Sequence, residues 1–141
     1  MFIISEIFPQ HSGDLLLAKR MVHLSYLGGA SAIKFQLVQN NMFSQDHYDR
    51  SYNELKFDEL ENLVSYSRSI GIKVFATAFT EETLDWCKKL NLDFFKIPAR
   101  MHKENPSLVK KIIKLNKTTF ISVKPEEVDN LNIEKRQNII F

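Results

Sequence analysis

Six short β-rich runs, set apart by helix-length segments, constrain this chain more than any other feature of its sequence. They are Phe2 to Glu6, Ala32 to Gln36, Lys73 to Ala78, Phe94 to Ile97, Thr119 to Val123 and Asn138 to Phe141. Each is apolar at most positions, as expected of strands covered on both faces, and the alternation with helical patterns is the signature of βα units on a parallel sheet. Right-handed crossovers between successive units then favour the strand order 1-2-3-4-5 with helices on the outer face. A closed eight-stranded α/β barrel takes ~250 residues. With 141 residues, the expectation is one domain over residues 1–141, an incomplete TIM-type (β/α) barrel of five to six parallel strands.

The helices can be placed from periodicity and punctuation. Asp14 to Leu27 sets Leu17, Met21 and Leu24 at helical spacing, with Ala18 and Val22 widening the stripe and Gly28-Gly29 ending it. A second helix runs from about Asp58 to Ile70 with Leu60, Leu63 and Val64 inward; a third runs from Glu81 to Leu90 behind Thr80 as N-cap. Asn105 caps a fourth, Pro106 suits its first turn, and Leu108, Val109, Ile112 and Ile113 make its inward stripe. One connection is long, from Val38 to Lys56, and it carries Phe43, His47, Tyr48 and Tyr52. Long connections in compact domains tend to be functional. After Val123 the pattern weakens, with room for about two turns between Pro125 and Leu131.

Composition excludes several classes of function. With 44% hydrophobic and 26% charged residues, the chain is globular rather than disordered. No apolar run approaches the ~18 residues of a membrane span, and the short apolar run Phe2 to Ile4 after Met1 is too brief for a signal segment, so a cytoplasmic location is expected. The net charge of +2 hides 12 basic and 6 acidic residues after position 87. Lys110, Lys111, Lys114 and Lys117 fit the solvated face of one helix, and no aromatic residues interleave with them as in single-strand binders, so nucleic acid is not expected. The one cysteine, Cys87, reads as a small buried hydrophobe.

Chemistry in α/β barrels sits at the carboxyl ends of the strands, and here nearly every end carries a polar residue. Glu6 closes the first strand, Lys34 and Gln36 the second, Thr77 the third, Lys96 the fourth and Ser122 the fifth. Side chains alternate along a strand, so Lys34 and Gln36 share one face while Ile33 and Phe35 face the helices. A lysine in an apolar strand needs compensation. For each lysine alone a structural ion pair with Glu6, or escape to solvent, is as good an explanation as function. Two lysines converging with Gln36, Thr77 and Ser122 describe a pocket for a small dianion such as a phosphate ester. His23 and His47 read as surface residues, and His102 lies within reach of the mouth. No histidine pair has metal-ligand spacing on one element, so no metal residue is assigned.

Particular segments resemble the sialic acid synthase family. Glu6-Ile-Phe-Pro-Gln-His-Ser-Gly-Asp-Leu, followed by Ala18-Lys19, is similar to that family's strand ending in Glu and its Asn-His-x-Gly turn, with Gln10 in place of Asn. Gly28-Gly29-Ala30-Ser31-Ala32-Ile33-Lys34-Phe35-Gln36 resembles Ala-Gly-Ala-Asp-Ala-Val-Lys-Phe-Gln, the most specific of the matches. Thr77-Ala78-Phe79 resembles Thr-Pro-Phe, Phe95-Lys96-Ile97 resembles Tyr-Lys-Ile, and Asn105-Pro106-Ser107-Leu108 stands for Asn-x-Pro-Leu. Two positions depart from the pattern. Lys96-Ile97-Pro98-Ala99 replaces Lys-Ile-x-Ser, and Ser122-Val123-Lys124-Pro125 replaces Ser-Thr-Gly-Met.

The resemblance implies condensation of phosphoenolpyruvate with the open-chain aldehyde of an N-acyl amino sugar, releasing phosphate and forming a nine-carbon sugar acid. It implies that Lys34, Gln36, Thr77, Lys96 and Ser122 hold phosphoenolpyruvate and that Glu6 lies beside the reacting carbons as the catalytic residue. A divalent metal, manganese or magnesium, assists such enzymes; its two histidine ligands belong to the seventh and eighth strands and are not expected in this chain. Nor is the antifreeze-like domain that follows the barrel in many members. The expectation is therefore a chain that binds but does not turn over alone, or a non-catalytic phosphate-binding or assembly module from that family. An unclosed sheet exposes two edges, so a homo-oligomer or a partner chain completing the barrel is also expected.

Overall fold

The structure is a computed structural model that describes residues 1–8, 10–39, 53–125 and 137–141. Phe43, His47, Tyr48 and Tyr52 of the long connection lie outside these residues, as does the segment from 126 to 131 in which about two turns are expected. Six strands form one sheet: β1 Ile4–Glu6, β2 Ala32–Leu37, β3 Lys73–Ala78, β4 Phe94–Ile97, β5 Thr119–Ile121 and β6 Ile139–Ile140. Their order is β1-β2-β3-β4-β5-β6 and every neighbouring pair is parallel. The expected half-barrel is the observed one.

Among the described residues five helices accompany the sheet: α1 Leu15–Leu27, α2 Phe57–Ser69, α3 Glu81–Lys89, α4 Met101–Glu104 and α5 Pro106–Lys114. Side-chain oxygens satisfy helix N–H groups that have no intrahelical partner. Asp14 accepts from Leu16 and Leu17 (2.8 and 3.0 Å), Thr80 from Thr83 and Asn105 from Leu108. Gly29 and Gly71 follow α1 and α2 with φ of 82° and 85°, a conformation that costs glycine little and other residues more. The single turn α4 was not legible in the sequence, because four residues are too few to show a period.

Alternation along the strands sorts the two faces as the sequence implies. Ile33, Phe35, Val74, Ala76, Phe95 and Ile97 are buried against the helices. Leu60, Leu63 and Val64 of α2 and Leu108, Val109 and Ile112 of α5 meet them. The α1 stripe is a correction. Ala18 and Val22 are the buried residues, whereas Leu17 is 39% exposed and Leu24 65%. This helix is apolar around most of its circumference, so spacing alone could not select the stripe, and the small side chains face the sheet. Lys117 is a second correction: it lies past α5 and donates to Asn91 Oδ1 and the Leu92 carbonyl (both 2.6 Å) rather than standing on the solvated face.

On the inner face, the end nearer the amino termini of the strands is filled by phenylalanines. The Phe75 ring lies 6.0 Å from Phe94 and 5.6 Å from Phe120, and Phe2 lies 5.6 Å from Phe94 and 6.4 Å from Phe120. Phe2 precedes β1 while Phe94 and Phe120 stand on β4 and β5. Strands that are not neighbours in the sheet can share rings only if the sheet is rolled. This floor supports the mouth above it.

Candidate functional site

Two residues further along the same strands, phenylalanine gives way to polar groups. Phe75 is followed by Thr77, Phe94 by Lys96 and Phe120 by Ser122, all on the inward period of two. Glu6 and Lys34 are register partners on β1 and β2, and their side chains form an ion pair, with Lys34 12% exposed and Glu6 38%. The pair explains how a lysine is tolerated in an apolar strand, because the neighbouring carboxylate offsets part of the desolvation cost. The ion pair raised by the sequence therefore exists, between adjacent strands rather than across the barrel.

Lys96 is compensated differently. Its ammonium donates to the Ser122 hydroxyl and to the Ile97 carbonyl (3.1 Å), both neutral acceptors. The Ser122 N–H also donates to that carbonyl (2.9 Å), tying the ends of β4 and β5 together. Burial, and then the positive charge of Lys34, push the Lys96 ammonium down to about 8, with Glu6 opposing them. Among the described residues, Lys96 is thus a cation held beside another cation and bonded to neutral acceptors.

Gln36 and Thr77 are register partners on β2 and β3, at the carboxyl-terminal level of the same face, with Gln36 half-buried and Thr77 buried. The structure brings together Glu6, Lys34, Lys96 and Ser122 through bonds or electrostatic reach, and sets Gln36 and Thr77 beside one another.

His11 and His23 have their partners away from this cluster. His11 is buried in the β1–α1 turn, where Nδ1 accepts from the Gly13 N–H (3.1 Å). Burial holds its imidazole below the usual range, partly offset by Glu59. His23 is exposed and meets the Tyr66 hydroxyl (3.1 Å), as a surface histidine would. His47 lies outside the described residues. His102 is half-buried on α4. Cys87 is fully buried and its thiol is pushed up to about 12 by that burial, in agreement with its reading as a core residue. Among the described residues no three His, Cys, Asp or Glu side chains come together as metal ligands. The described residues therefore offer the divalent ion of the resemblance no ligand set. Among the described residues no helix is long and apolar enough to cross a membrane.

Sequence reasoning missed the rim. Ala99, Arg100, Lys103 and Lys124 line a cavity of about 340 Å³ beyond the ends of β4 and β5. Arg100 and Lys103 stand on or beside α4, whose existence the sequence did not signal. The basic excess after position 87 was the available sign.

Comparison with known proteins agrees with this geometry. The N-acetylneuraminate-9-phosphate synthase of Mus musculus is 29% identical over 92% of this chain and 41% of its own length. The N,N'-diacetyllegionaminic acid synthase of Campylobacter jejuni is 31% identical over 97% of this chain and 49% of its own. The chain thus spans less than half the length of these curated relatives. Among solved structures, the N-acetylneuraminic acid (sialic acid) synthetase of Leptospira borgpetersenii superposes with a TM-score of 0.82 at 26% identity, over 92% of this chain and 47% of that one. Residues 21–132, most of the half-barrel with all but the first of the strand-end groups, match the NeuB family, and the chain belongs to it.

Proposed function

We propose that this chain is the phosphoenolpyruvate-binding part of a sugar acid synthase, which condenses phosphoenolpyruvate with an N-acyl amino sugar. The observation that carries the proposal is the convergence of Lys34, Lys96, Glu6 and Ser122 at one barrel mouth. Lys34 and Lys96 neutralise the phosphate and carboxylate of the ligand, and Gln36, Thr77 and Ser122 orient it. Glu6 sits against Lys34, where its carboxylate can direct water or a proton at the reacting carbons. In the overall reaction a carbon–carbon bond forms between the enol carbon and the aldehyde, water adds at the neighbouring carbon, and phosphate leaves.

Calorimetric titration with phosphoenolpyruvate tests the binding. A charge-assisted contact contributes ~1.5 to 3 kcal/mol, so Lys34→Ala or Lys96→Ala should weaken binding roughly ten- to a hundredfold. Lys114→Ala, on the exposed face of α5, should change nothing. Equal binding by Lys34→Ala and Lys114→Ala would remove the pocket from this mouth. The proposal includes binding without turnover by the isolated chain. Phosphate release with manganese and N-acetylmannosamine present would overturn that part.

Ala99 and Val123, where the resemblance has hydroxyl residues, favour a second reading as a non-catalytic phosphate-binding module. A phosphoenolpyruvate-binding chain that stays inactive when the rest of a synthase barrel is supplied would decide for it. Association is part of either reading. Leu16, Leu24 and Leu27 on α1 are 65 to 70% exposed, and Ile140 and Phe141 stand at the β6 edge. Such an apolar surface on an open sheet calls for a second copy or a partner chain. Light scattering at micromolar concentration should give more than the 16.5 kDa of one chain.

A further inference from the structure

Two lysines share the mouth, and their surroundings make them chemically different. Lys34 is paired with the Glu6 carboxylate, and a carboxylate neighbour favours the charged form of an amine. Lys96 is bonded instead to the Ser122 hydroxyl and the Ile97 carbonyl (3.1 Å), which are neutral. An ammonium nitrogen has three positions besides its carbon. Those two acceptors take up two of them, and among the described residues the third carries no bond. When the nitrogen loses a proton and keeps both acceptors, its electron pair stands at that third position.

Strand register sets what surrounds this nitrogen. Phe75 and Ala76 of β3 pair with Phe94 and Phe95 of β4, so one residue further on Thr77 comes level with Lys96, and Thr77 is itself the register partner of Gln36. An amide and a hydroxyl therefore stand at the level of the Lys96 backbone, with Lys34 one inward position lower on β2. Burial and the Lys34 charge lower the Lys96 ammonium to about 8. At pH 7 roughly a tenth of it is then unprotonated amine, far more than for a solvated lysine. A lysine placed beside another cation in this way gains nucleophilic character, whereas one that only holds an anion is better served by a carboxylate neighbour.

We propose that Lys96 is a covalent site for small 2-oxo acids, its nitrogen forming an imine at the keto carbon while Lys34 and Gln36 hold the carboxylate. The amine adds to the carbonyl carbon, so a C–N bond forms and the carbonyl π bond breaks. A proton passes from nitrogen to oxygen, and Glu6, whose charge reaches Lys96, is the carboxylate at hand for that transfer. The oxygen takes a second proton, leaves as water, and the nitrogen pair closes the C=N bond. Counted from the ammonium, ammonium and keto acid give iminium and water, with no electrons gained or lost. The iminium keeps one N–H for the Ile97 carbonyl or the Ser122 hydroxyl. This activity goes beyond the holding of phosphoenolpyruvate, which has no keto group to react and would occupy the same mouth as a competitor.

Pyruvate with sodium cyanoborohydride, which supplies the hydride that fixes an iminium as a secondary amine, tests the proposal on the full chain. The expected result is a single 1-carboxyethyl group by intact mass, mapped to Lys96, with labelling at pH 7 roughly tenfold or more faster there than at the exposed Lys110 and Lys114. Lys96→Met should lose the adduct, and the wild-type map needs no variant. Adducts spread over the outer lysines, with Lys96 unlabelled or no faster than they are, overturn the proposal. Acetone, which lacks the carboxylate, should show a smaller preference for Lys96; an equal preference overturns the assignment of a 2-oxo acid. Phosphoenolpyruvate should slow the labelling. A Lys96 adduct that phosphoenolpyruvate does not slow keeps the imine site and counts against the proposed function, whereas phosphoenolpyruvate binding that is lost in Lys34→Ala, with no adduct at Lys96 in the wild-type chain, overturns the imine site and leaves the proposed function standing.

Discussion

The floor and the mouth of the half-barrel are built on the same inward-facing positions of the same strands, two residues apart, and they do opposite things to the fold. At the floor Phe75, Phe94 and Phe120 bury ring against ring, which stabilises the sheet and keeps it rolled. At the mouth Lys34 and Lys96 are taken partly out of water, and Lys96 is held near Lys34 with only neutral acceptors bonded to it, which costs stability. Binding function is thus placed where burial is least favourable for charge. The aromatic floor supplies the stability that the mouth gives up.

The largest expected effect breaks the floor. Phe75 is 1% exposed, and Phe75→Ala should destabilise the chain by about 3 to 5 kcal/mol, read as a fall in the urea midpoint. A loss near that of an exposed residue would mean the floor does not support the sheet. Lys96→Met should do the reverse at the mouth. Phosphoenolpyruvate binding falls roughly ten- to a hundredfold while stability rises by ~1 kcal/mol, about 3 °C in melting temperature, since the Ile97 carbonyl keeps the Ser122 N–H. A lower melting temperature would show that the lysine is structural.

Next in size is the pH dependence. In the folded chain Lys96 holds its proton up to about 8, and in the unfolded chain up to about 10.4. Between those values the unfolded chain binds more protons, so this group's destabilising effect is full below 8 and is relieved as pH rises toward 10.4. Anion binding runs the other way. Affinity for phosphoenolpyruvate should fall severalfold from pH 7 to pH 9, and Lys96→Met should lose that dependence; an identical slope in both proteins assigns the titration elsewhere. The smallest effect sharpens the role of Glu6. Removing its charge leaves Lys34 free for an anion, so Glu6→Gln should tighten phosphoenolpyruvate binding by a few-fold at most, by calorimetry. Weaker binding would mean that Glu6 positions Lys34 more than it competes for it.

Much of the half-barrel was legible because its signals are local. Strand alternation, the caps Asp14, Thr80 and Asn105, and the glycines after α1 and α2 each act within a few residues. The misread α1 stripe shows the limit: with leucines on several faces, the choice of Ala18 and Val22 for the sheet depends on how closely α1 approaches β2 and α2. The turn α4 was illegible for want of length, and with it the rim cations Arg100 and Lys103. Polar strand ends could be named one by one from the sequence. Their pairing could not, because Glu6 with Lys34 and Lys96 with Ser122 are set by register between strands that lie 28 and 26 positions apart in the chain.

By itself, then, the sequence determined the strand and helix series, the parallel order, the inward direction of Lys34, Gln36, Thr77 and Lys96, and the family, since each follows from short-range pattern or from local motif. Only the tertiary structure decided that Glu6 compensates Lys34, that Lys96 bonds to Ser122 and the Ile97 carbonyl, that Phe2 reaches Phe94 and Phe120, and that Arg100 and Lys124 face one cavity. The physical reason is curvature. Rolling the sheet brings side chains of non-adjacent strands within electrostatic and van der Waals range, and the degree of rolling is set by the packing of all the helices and rings together rather than by any one segment.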